Sequence, residues 1–234
     1  MIHIYGKSTE TTRLLAKNLG CKISRRYLPS RKCLIINWGY SCGRGLNSHL
    51  ISNKMKEFEI LHEAGLTPKL LYFLPDKEKD YPVLGRKCHH THGNDILFYE
   101  KMPTLCVTHY DFYVQYISKI AEFRAHVLGN EVVLITKKIP KEGEESDPVI
   151  WNYNRGYSQC TYYKTKRYWG IITDIALKAI KVIKYDFGAV DVIIDKEGKA
   201  YILEVNSAPG LTIDNRIESY VNYFKKLEKQ CQNV

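Results

Sequence analysis

Residues 185–212 read YDFGAVDVIIDKEGKAYILEVNSAPGLT, and this stretch decides the fold. Two apolar runs, residues 189–194 and 200–205, flank a polar segment that contains Gly198, a pattern that predicts a β-hairpin. Three oxygen-bearing side chains interrupt these runs or follow them directly: Asp191, Glu204 and Asn206. Their presence where apolar side chains are expected indicates a chemical role.

The loop length predicts which residues of the hairpin face each other. A four-residue loop pairs Asp195 with Ala200, and a two-residue loop gives the same register. In this register Asp191 stands opposite Glu204, with Cβ atoms about 5 Å apart. Because side chains alternate along a strand, Glu204 and Asn206 share one face. The other face is expected to point toward the core and carries Val190, Val192, Ile194, Tyr201, Leu203 and Val205.

Two carboxylates and an amide oxygen on one surface would repel each other unless a positive group joins them. Hard oxygen ligands suit Mg²⁺, which usually takes one or two carboxylates and completes its shell with water and substrate phosphates. The sequence therefore predicts a magnesium site at Asp191, Glu204 and Asn206. The alternative is a half-exposed hairpin whose acidic groups are solvated.

The composition limits the class of protein. The chain has 234 residues, of which 44% are apolar, enough to bury a core in one domain or two small lobes. It contains no apolar run near 18 residues, so we expect no membrane span, and its start, MIHIYGKSTETTR, does not resemble a signal peptide. Seven dispersed cysteines, an odd number, favour reduced thiols and a cytoplasmic location.

The net charge of +10 favours anionic partners such as nucleotides, acidic peptides or nucleic acid. Residues 162–169, YYKTKRYW, mix basic and aromatic side chains, a pattern that can stack on a nucleic-acid strand. The same pattern is also typical of a strand-to-helix junction whose aromatic side chains pack inward. A basic nucleic-acid-binding protein therefore remains an alternative.

The hairpin segment D-V-I-I-D-x-x-G-x-x-Y-I-L-E-V-N-S-A-P-G-L-T, residues 191–212, resembles the metal-binding hairpin of the ATP-grasp superfamily. These enzymes are carboxylate–amine ligases, and the closest resemblance is to the ribosomal-protein glutamate ligase and glutathione synthetase type. The resemblance extends over roughly residues 50–212. It implies an α/β (α+β) ATP-grasp fold, in which a short N-terminal α/β lobe precedes two lobes that sandwich ATP. The expected boundaries are residues 1–50, 51–120 and 121–234.

The resemblance also implies which residues bind ATP, the expected cofactor together with Mg²⁺. Residues 53–69, NKMKEFEILHEAGLTPK, would place Lys54 near the nucleotide, and PVLGRK at 82–87 would place Arg86 on its phosphates. The segment FYVQYI at 112–117 would present the backbone of Gln115, Tyr116 and Ile117 to adenine. Glu122 would accept hydrogen bonds from the ribose. Of the adjacent pair Lys137 and Lys138, we choose Lys137 as the contact to the α- and β-phosphates.

The catalytic groups implied by the resemblance are Arg124, for the transferred phosphate or the acceptor carboxylate, and Arg155, for substrate or phosphate. The chain departs from D-alanine ligases at Ala189, where those enzymes carry an arginine that steadies the oxyanion. That role would move to Arg124 or Arg155. The cluster Cys88-His89-His90-Thr91-His92 fits a loop that covers the phosphates better than a closed zinc site, because adjacent residues cannot easily surround one ion.

The function implied by the resemblance is ATP-dependent amide formation through an acylphosphate, which would add an amino acid to a peptide, protein or modified base. An ATP-grasp phosphotransferase that does not ligate is an alternative within the enzymes. The carboxylate and amine substrates are not predicted, because the match is weakest in the loops and the N-terminal lobe.

Overall fold

The structure of the protein, a computed structural model, describes residues 1–25, 33–89, 96–103, 110–212 and 216–232. In chain order the strands and helices are β1 (Ile2–Gly6), α1 (Glu10–Leu19), β2 (Lys22–Ser24), β3 (Leu34–Trp38), α2 (Lys54–Glu63), β4 (Leu70–Leu71), β5 (Val83–Arg86), β6 (Ile96–Tyr99), β7 (Phe112–Gln115), β8 (Lys119–Leu128), β9 (Glu131–Pro140), β10 (Tyr157–Tyr162), α3 (Trp169–Ile183), β11 (Phe187–Asp195), β12 (Ala200–Asn206) and α4 (Arg216–Gln232).

The strands form three sheets. An N-terminal parallel sheet has the order β2-β1-β3, a central antiparallel sheet has the order β4-β7-β5-β6, and the third has the order β10-β9-β8-β11-β12. The predicted mixed α/β class is confirmed. The five-stranded sheet begins at Lys119, close to the boundary expected at residue 120, and the three-segment division stays a prediction.

The largest core lies between the five-stranded sheet and α3. One face of the sheet supplies Phe123, Ala125 and Val127 from β8 and alternate residues of β11, and α3 supplies Ala176 and Ile180. These three residues of β8 alternate with Glu122, Arg124 and His126, which therefore point away from this core. The opposite face of the sheet is therefore left for the polar side chains of β8, β9 and β11.

The N-terminal sheet and α4 share a second core. Trp38 stacks on Phe187, the first residue of β11, and Tyr220 and Phe224 of α4 complete the aromatic cluster. Asn47 joins the same two regions, since its backbone N–H donates to Asp186 Oδ2 over 2.5 Å and its amide donates to the Phe187 carbonyl over 3.0 Å. The N-terminal lobe is thus fixed to the strand that carries Asp191.

Local sequence explains where the helices begin. Thr9 caps α1 in a reciprocal arrangement with Thr12, and Asn53 caps α2 by accepting from the Lys56 N–H over 3.1 Å. The Asn53 cap fixes the direction of the first turn of α2, which carries Lys54. Within the described ranges, no helix is both long enough and apolar enough to cross a membrane.

Candidate active site between two sheets

A pocket lies between the central sheet and the five-stranded sheet. The central sheet contributes Arg86, Val114 and Gln115, and the chain that links the two sheets contributes Tyr116 and Ile117. The five-stranded sheet contributes the polar face left open by its core packing: Lys119, Glu122, Arg124, Lys138, Asp191 and Glu204. One pocket therefore brings together most of the residues predicted to bind nucleotide or metal.

The hairpin pairs Asp191 with Glu204, as predicted, and it also pairs Ala189 with Asn206, but the predicted loop is wrong. Ile194, not Asp195, pairs with Ala200. The loop is a tight turn in which the Gly198 N–H donates to the Asp195 carbonyl over 3.1 Å, and Gly198 has φ of +84°. A bulge next to Asp191 then shifts the register by one residue and restores the predicted pairing at the site.

Because of the bulge, the residues of β12 that face the core differ from those predicted. Ile202 is buried in the core with Val205, whereas Tyr201 and Leu203 were expected there. Leu203 instead lines the pocket, and its carbonyl accepts a hydrogen bond from Arg86 Nη1 over 3.2 Å. The irregular residue of the hairpin thus connects the metal-ligand candidates to the central sheet.

The two carboxylates have different partners. Asp191 accepts two hydrogen bonds from Arg124, with Nε to Oδ1 at 2.6 Å and Nη2 to Oδ2 at 2.7 Å. Glu204 accepts from the Asn206 amide over 3.0 Å and lies 3.8 Å from Lys54 Nζ. Burial alone would raise the pKa of Glu204, but Lys54 and Arg86 hold it well below its usual range. Glu204 is therefore ionised at neutral pH.

The donor set fits a magnesium ion. Asp191 and Glu204 are paired on the hairpin and line the pocket, and the surrounding cations keep Glu204 charged. The Asn206 amide lies beside Glu204 but is not part of the pocket lining. In the part of the chain that the structure describes, no three His, Cys, Asp or Glu side chains gather as a metal site. A set of only two carboxylates suits Mg²⁺, which leaves positions for water and phosphate, better than it suits a closed zinc site.

Lys54 and Arg86 lie on the Glu204 side of the pocket. Lys54 Nζ is 3.4 Å from Glu57 Oε1, and that same oxygen accepts from the Val205 N–H over 3.0 Å. Arg86 is 6% exposed and lies between the rings of Phe58 and Phe112, 5.6 Å from each centroid. Burial lowers the pKa of Arg86, while Glu204 and Glu57 oppose that shift.

Glu122 joins two buried lysines on the other side of the pocket. Its Oε2 accepts from Lys119 Nζ over 2.6 Å, and its Oε1 accepts from Lys138 Nζ. Two carbonyls hold the lysines in place, Val149 for Lys119 at 2.9 Å and Trp151 for Lys138 at 2.5 Å. Lys138 and Lys119 hold the pKa of Glu122 below its usual range, although burial alone would raise it.

The choice of Lys137 as a phosphate contact is corrected by this arrangement. Phe123 pairs with Lys137 and Arg124 pairs with Thr136, so Lys137 shares the sheet face of the core residue Phe123. Lys138, on the opposite face, lines the pocket. Alternation requires that only one of two adjacent lysines points inward, and the pairing of β9 with β8 decides which.

Arg155 also lies in a different place from the one predicted, because it does not line the pocket. It is the last residue of a short 3-10 turn, Tyr153–Arg155, outside the pocket, where its Nη1 lies 2.5 Å from Asp147 Oδ2. Its neighbour Asn152 lines the pocket instead. Of the two arginines considered for the oxyanion role, only Arg124 therefore lies at the pocket, on the strand next to the one that carries the buried Ala189.

Two further predictions concern segments beside the pocket. Residues 90–95, which include most of the predicted phosphate-covering loop, lie outside the described residues, while the Cys88 carbonyl accepts from the Lys54 N–H over 2.9 Å. In the basic aromatic segment, Tyr162 and Tyr168 pack against Phe123, and Tyr163 is 64% exposed. The inward-packing alternative thus describes two of its three tyrosines.

Sequence reasoning missed Glu57 and Lys119, and of two adjacent lysines it chose Lys137 instead of Lys138. The signal for Glu57 was its position one turn after Lys54, next to Phe58 on a helix that packs on the hairpin. Lys119 had a comparable signal, because it precedes Glu122 at the start of a strand that enters the site.

Comparison with known proteins reveals a family match. A family model described as the D-ala D-ala ligase C-terminus matches residues 108–224, half of the chain. A D-alanine–D-alanine ligase from Aquifex aeolicus (strain VF5) is 32% identical over 87 residues. That match covers 37% of this chain and 29% of the relative, so the chain spans less than a third of the curated protein that it resembles.

Solved structures that resemble this fold include an ATP-grasp ligase and D-alanine–D-alanine ligases. The ligase PsnB in complex with a minimal precursor, Mg and ADP has a TM-score of 0.68 at 8% identity and covers 97% of this chain and 96% of its own. The D-alanine–D-alanine ligase from Bacillus anthracis has a TM-score of 0.61 at 16% identity, covering 97% and 94%. The macrocyclase MdnC from Microcystis aeruginosa has a TM-score of 0.59 at 12% identity, covering 98% and 99%.

At these low sequence identities, the structural similarity establishes the fold alone. The family match rests on residues 108–224, the segment that contains β8, β9 and the hairpin. The expected ATP-grasp fold is confirmed by both comparisons. The chain belongs to the family of the D-ala D-ala ligase C-terminus, within the ATP-grasp fold.

Proposed function

We propose that the protein is an ATP-dependent ligase that joins a carboxylate to an amine through an acylphosphate. The observation that carries this proposal is the paired Asp191 and Glu204 at the end of a pocket that also contains Arg86, Arg124 and Lys138. Such a pocket suits a polyphosphate with a divalent cation, because it offers both carboxylate ligands and compensating positive charge.

Different residues in and beside the pocket would contact the adenine, the ribose and the phosphates of ATP. Gln115, at the end of β7, and the linker residues Tyr116 and Ile117 would flank the adenine. Glu122, on the inner wall of the pocket, would accept a hydrogen bond from the ribose. Lys138, Arg86 and Lys54 would contact the phosphates. Glu122 keeps acceptor capacity for a hydroxyl although both its oxygens already contact lysines, because each carboxylate oxygen carries two lone pairs.

The chemistry proceeds in two transfers. A substrate carboxylate oxygen attacks the γ-phosphorus, the bond to the bridging oxygen breaks, and an acylphosphate and ADP result. An amine then attacks the acyl carbon, phosphate leaves, and the nitrogen loses a proton to give the amide. Mg²⁺ at Asp191, Glu204 and Asn206 would neutralise charge on the transferred group. Arg124 would hold the same group from the neighbouring strand, since electrostatic stabilisation is the main contribution in phosphoryl transfer.

The first prediction tests whether the pocket binds nucleotide. MgATP at about 100 times its dissociation constant should stabilise the folded protein by about 2.7 kcal/mol, which corresponds to a rise in melting temperature of roughly 5–10 °C. Thermal unfolding with and without MgATP measures this shift. ADP release should also require both an acid and an amine, and a screen over amino acids, polyamines and short peptides identifies them. ADP release with the acid alone would favour the phosphotransferase alternative.

A second prediction uses the adjacent lysines as a matched pair. Lys138→Met should weaken ATP binding roughly tenfold or more, because a charged hydrogen-bond donor at the phosphates is lost. Lys137→Met removes the same charge from the opposite sheet face and should leave the affinity within about twofold of the wild type. Calorimetric titration with ATP gives both values. An equal loss of ATP affinity in the two variants would contradict the assignment of Lys138, rather than Lys137, to the pocket face of β9.

The expected location in a reducing compartment is supported by the cysteines. Cys21, Cys33, Cys42, Cys88, Cys160 and Cys231, which are those in the described ranges, are free thiols.

A further inference from the structure

A second cavity lies in the N-terminal lobe, away from the nucleotide pocket. Its volume is about 690 Å³, within the range of small-molecule sites. It lies at the carboxyl ends of all three parallel strands, with Lys7 following β1, Arg25 following β2 and Tyr40 following β3. The strands β2 and β3 lie on opposite sides of β1, so the chain reverses its direction across the sheet at this strand. Open parallel sheets bind ligands at the carboxyl ends of strands next to such a reversal. We call it the N-terminal cavity.

Two cations converge on one phenol in the N-terminal cavity. Lys7 Nζ lies 5.5 Å and Arg25 Cζ lies 4.5 Å from the centroid of the Tyr40 ring. A hydrogen bond from Lys7 and the nearby charge of Arg25 lower the pKa of Tyr40. Among the residues that the structure describes, no carboxylate forms an ion pair with Lys7 or Arg25. The cavity therefore has positive charge without an acidic partner.

The N-terminal cavity adjoins the loop that follows the metal-ligand candidates. Gly39, next to Tyr40, has φ of +70°, and a Cβ on it would lie 3.0 Å from the Ala208 Cβ. On the same side, the Leu211 N–H donates to Thr11 Oγ1 over 3.2 Å. Residues 207–211, which follow Asn206 directly, are thus packed against the lobe that contains the cavity. The chain from the metal-ligand candidates therefore leads directly to the lobe that contains the cavity.

We propose that the N-terminal cavity binds an anionic group, a carboxylate or a phosphate, on the substrate that reacts at the hairpin. This inference rests on the proposed ligase function, because it assigns the cavity to the same substrate. Lys7 and Arg25 would pair with the anion, and the Tyr40 hydroxyl would donate a hydrogen bond to it. Contacts far from the reacting atoms position those atoms, so this anionic group would set substrate choice.

The test compares acidic probes with neutral counterparts of the same shape. The protein is titrated by calorimetry, with Mg²⁺ and a non-hydrolysable ATP analogue present, with L-glutamate against L-glutamine and with O-phospho-L-serine against L-serine. At least one acidic probe should bind about tenfold more tightly than its neutral counterpart. Preference for glutamate identifies a carboxylate as the natural group, and preference for phosphoserine identifies a phosphate.

The variants locate the effect. Lys7→Gln with Arg25→Gln should abolish the preference for the acidic probe. Arg167→Gln with Lys178→Gln, which removes one arginine and one lysine from exposed positions, should preserve it. Equal binding of acidic and neutral probes, or loss of the preference in both double variants, would overturn the proposal. MgATP stabilisation should be the same in wild type and the Lys7/Arg25 variant, and its absence from wild type would count against the ligase function alone.

Discussion

A double variant, Asp191→Asn with Glu204→Gln, is expected to lose MgATP-dependent ADP formation by about 10³-fold or more. The two substitutions keep the shape of the paired side chains and remove the charges that would hold Mg²⁺. Removal of one preorganised electrostatic contact typically costs 10²- to 10³-fold in rate, and here two contacts are lost together. The loss should not equal the product of the single effects, because both residues would serve one ion.

Binding measurements distinguish loss of the metal from loss of the fold. The wild type should bind ATP more tightly with Mg²⁺ than without it, and the double variant should bind ATP equally in both conditions. The matched control is Asp174→Asn with Glu197→Gln, which makes the same chemical changes at exposed positions and should keep wild-type turnover. Undiminished turnover in the Asp191/Glu204 variant would refute the metal assignment.

The hairpin shows both the strength and the limit of prediction from sequence. The pairing of Asp191 with Glu204 was predicted correctly from a loop that does not exist, because the actual turn and the bulge shift the register in compensating directions. The apolar pattern specifies which face of β11 packs against α3, since Val190, Val192 and Ile194 alternate along it. It does not specify a bulge, which depends on the packing of β12 against α2 and on the contact of Arg86 with the Leu203 carbonyl.

Other site residues depend on contacts between distant parts of the chain. On β8 the alternation of Glu122, Phe123 and Arg124 is sufficient to predict which side chains face the pocket, because the apolar residues identify the face that packs in the core. On β9 two adjacent lysines give no such signal, and only the pairing with β8 places Lys138 inward. The match to a family segment drew attention to Arg155, whose local turn instead directs it to Asp147. The sequence thus predicts well which face of a strand packs in the core. It predicts poorly which residues from distant parts of the chain pair with each other.

The Glu122 cluster is expected to be the part of the site whose disruption costs the most stability. Glu122→Gln should lower the free energy of unfolding by about 3–5 kcal/mol, because it leaves Lys119 and Lys138 charged and buried without their carboxylate. The side chains of Glu122, Lys119 and Lys138 are only 3%, 6% and 10% exposed, so water from the pocket would replace the lost carboxylate only in part. Urea unfolding followed by tryptophan fluorescence measures the change.

The matched control is Glu144→Gln, the same substitution in an exposed pair with Lys141, which should change the free energy of unfolding by less than about 1 kcal/mol. A triple variant in which Glu122, Lys119 and Lys138 are all replaced by Met removes the charges together. It should recover most of the lost stability, because uncharged side chains of similar size carry no desolvation cost. The same variant should bind ATP poorly. Stability restored without nucleotide binding is the expected result if the buried charges are retained for the ligand rather than for the fold, and a fully stable Glu122→Gln variant would contradict the argument.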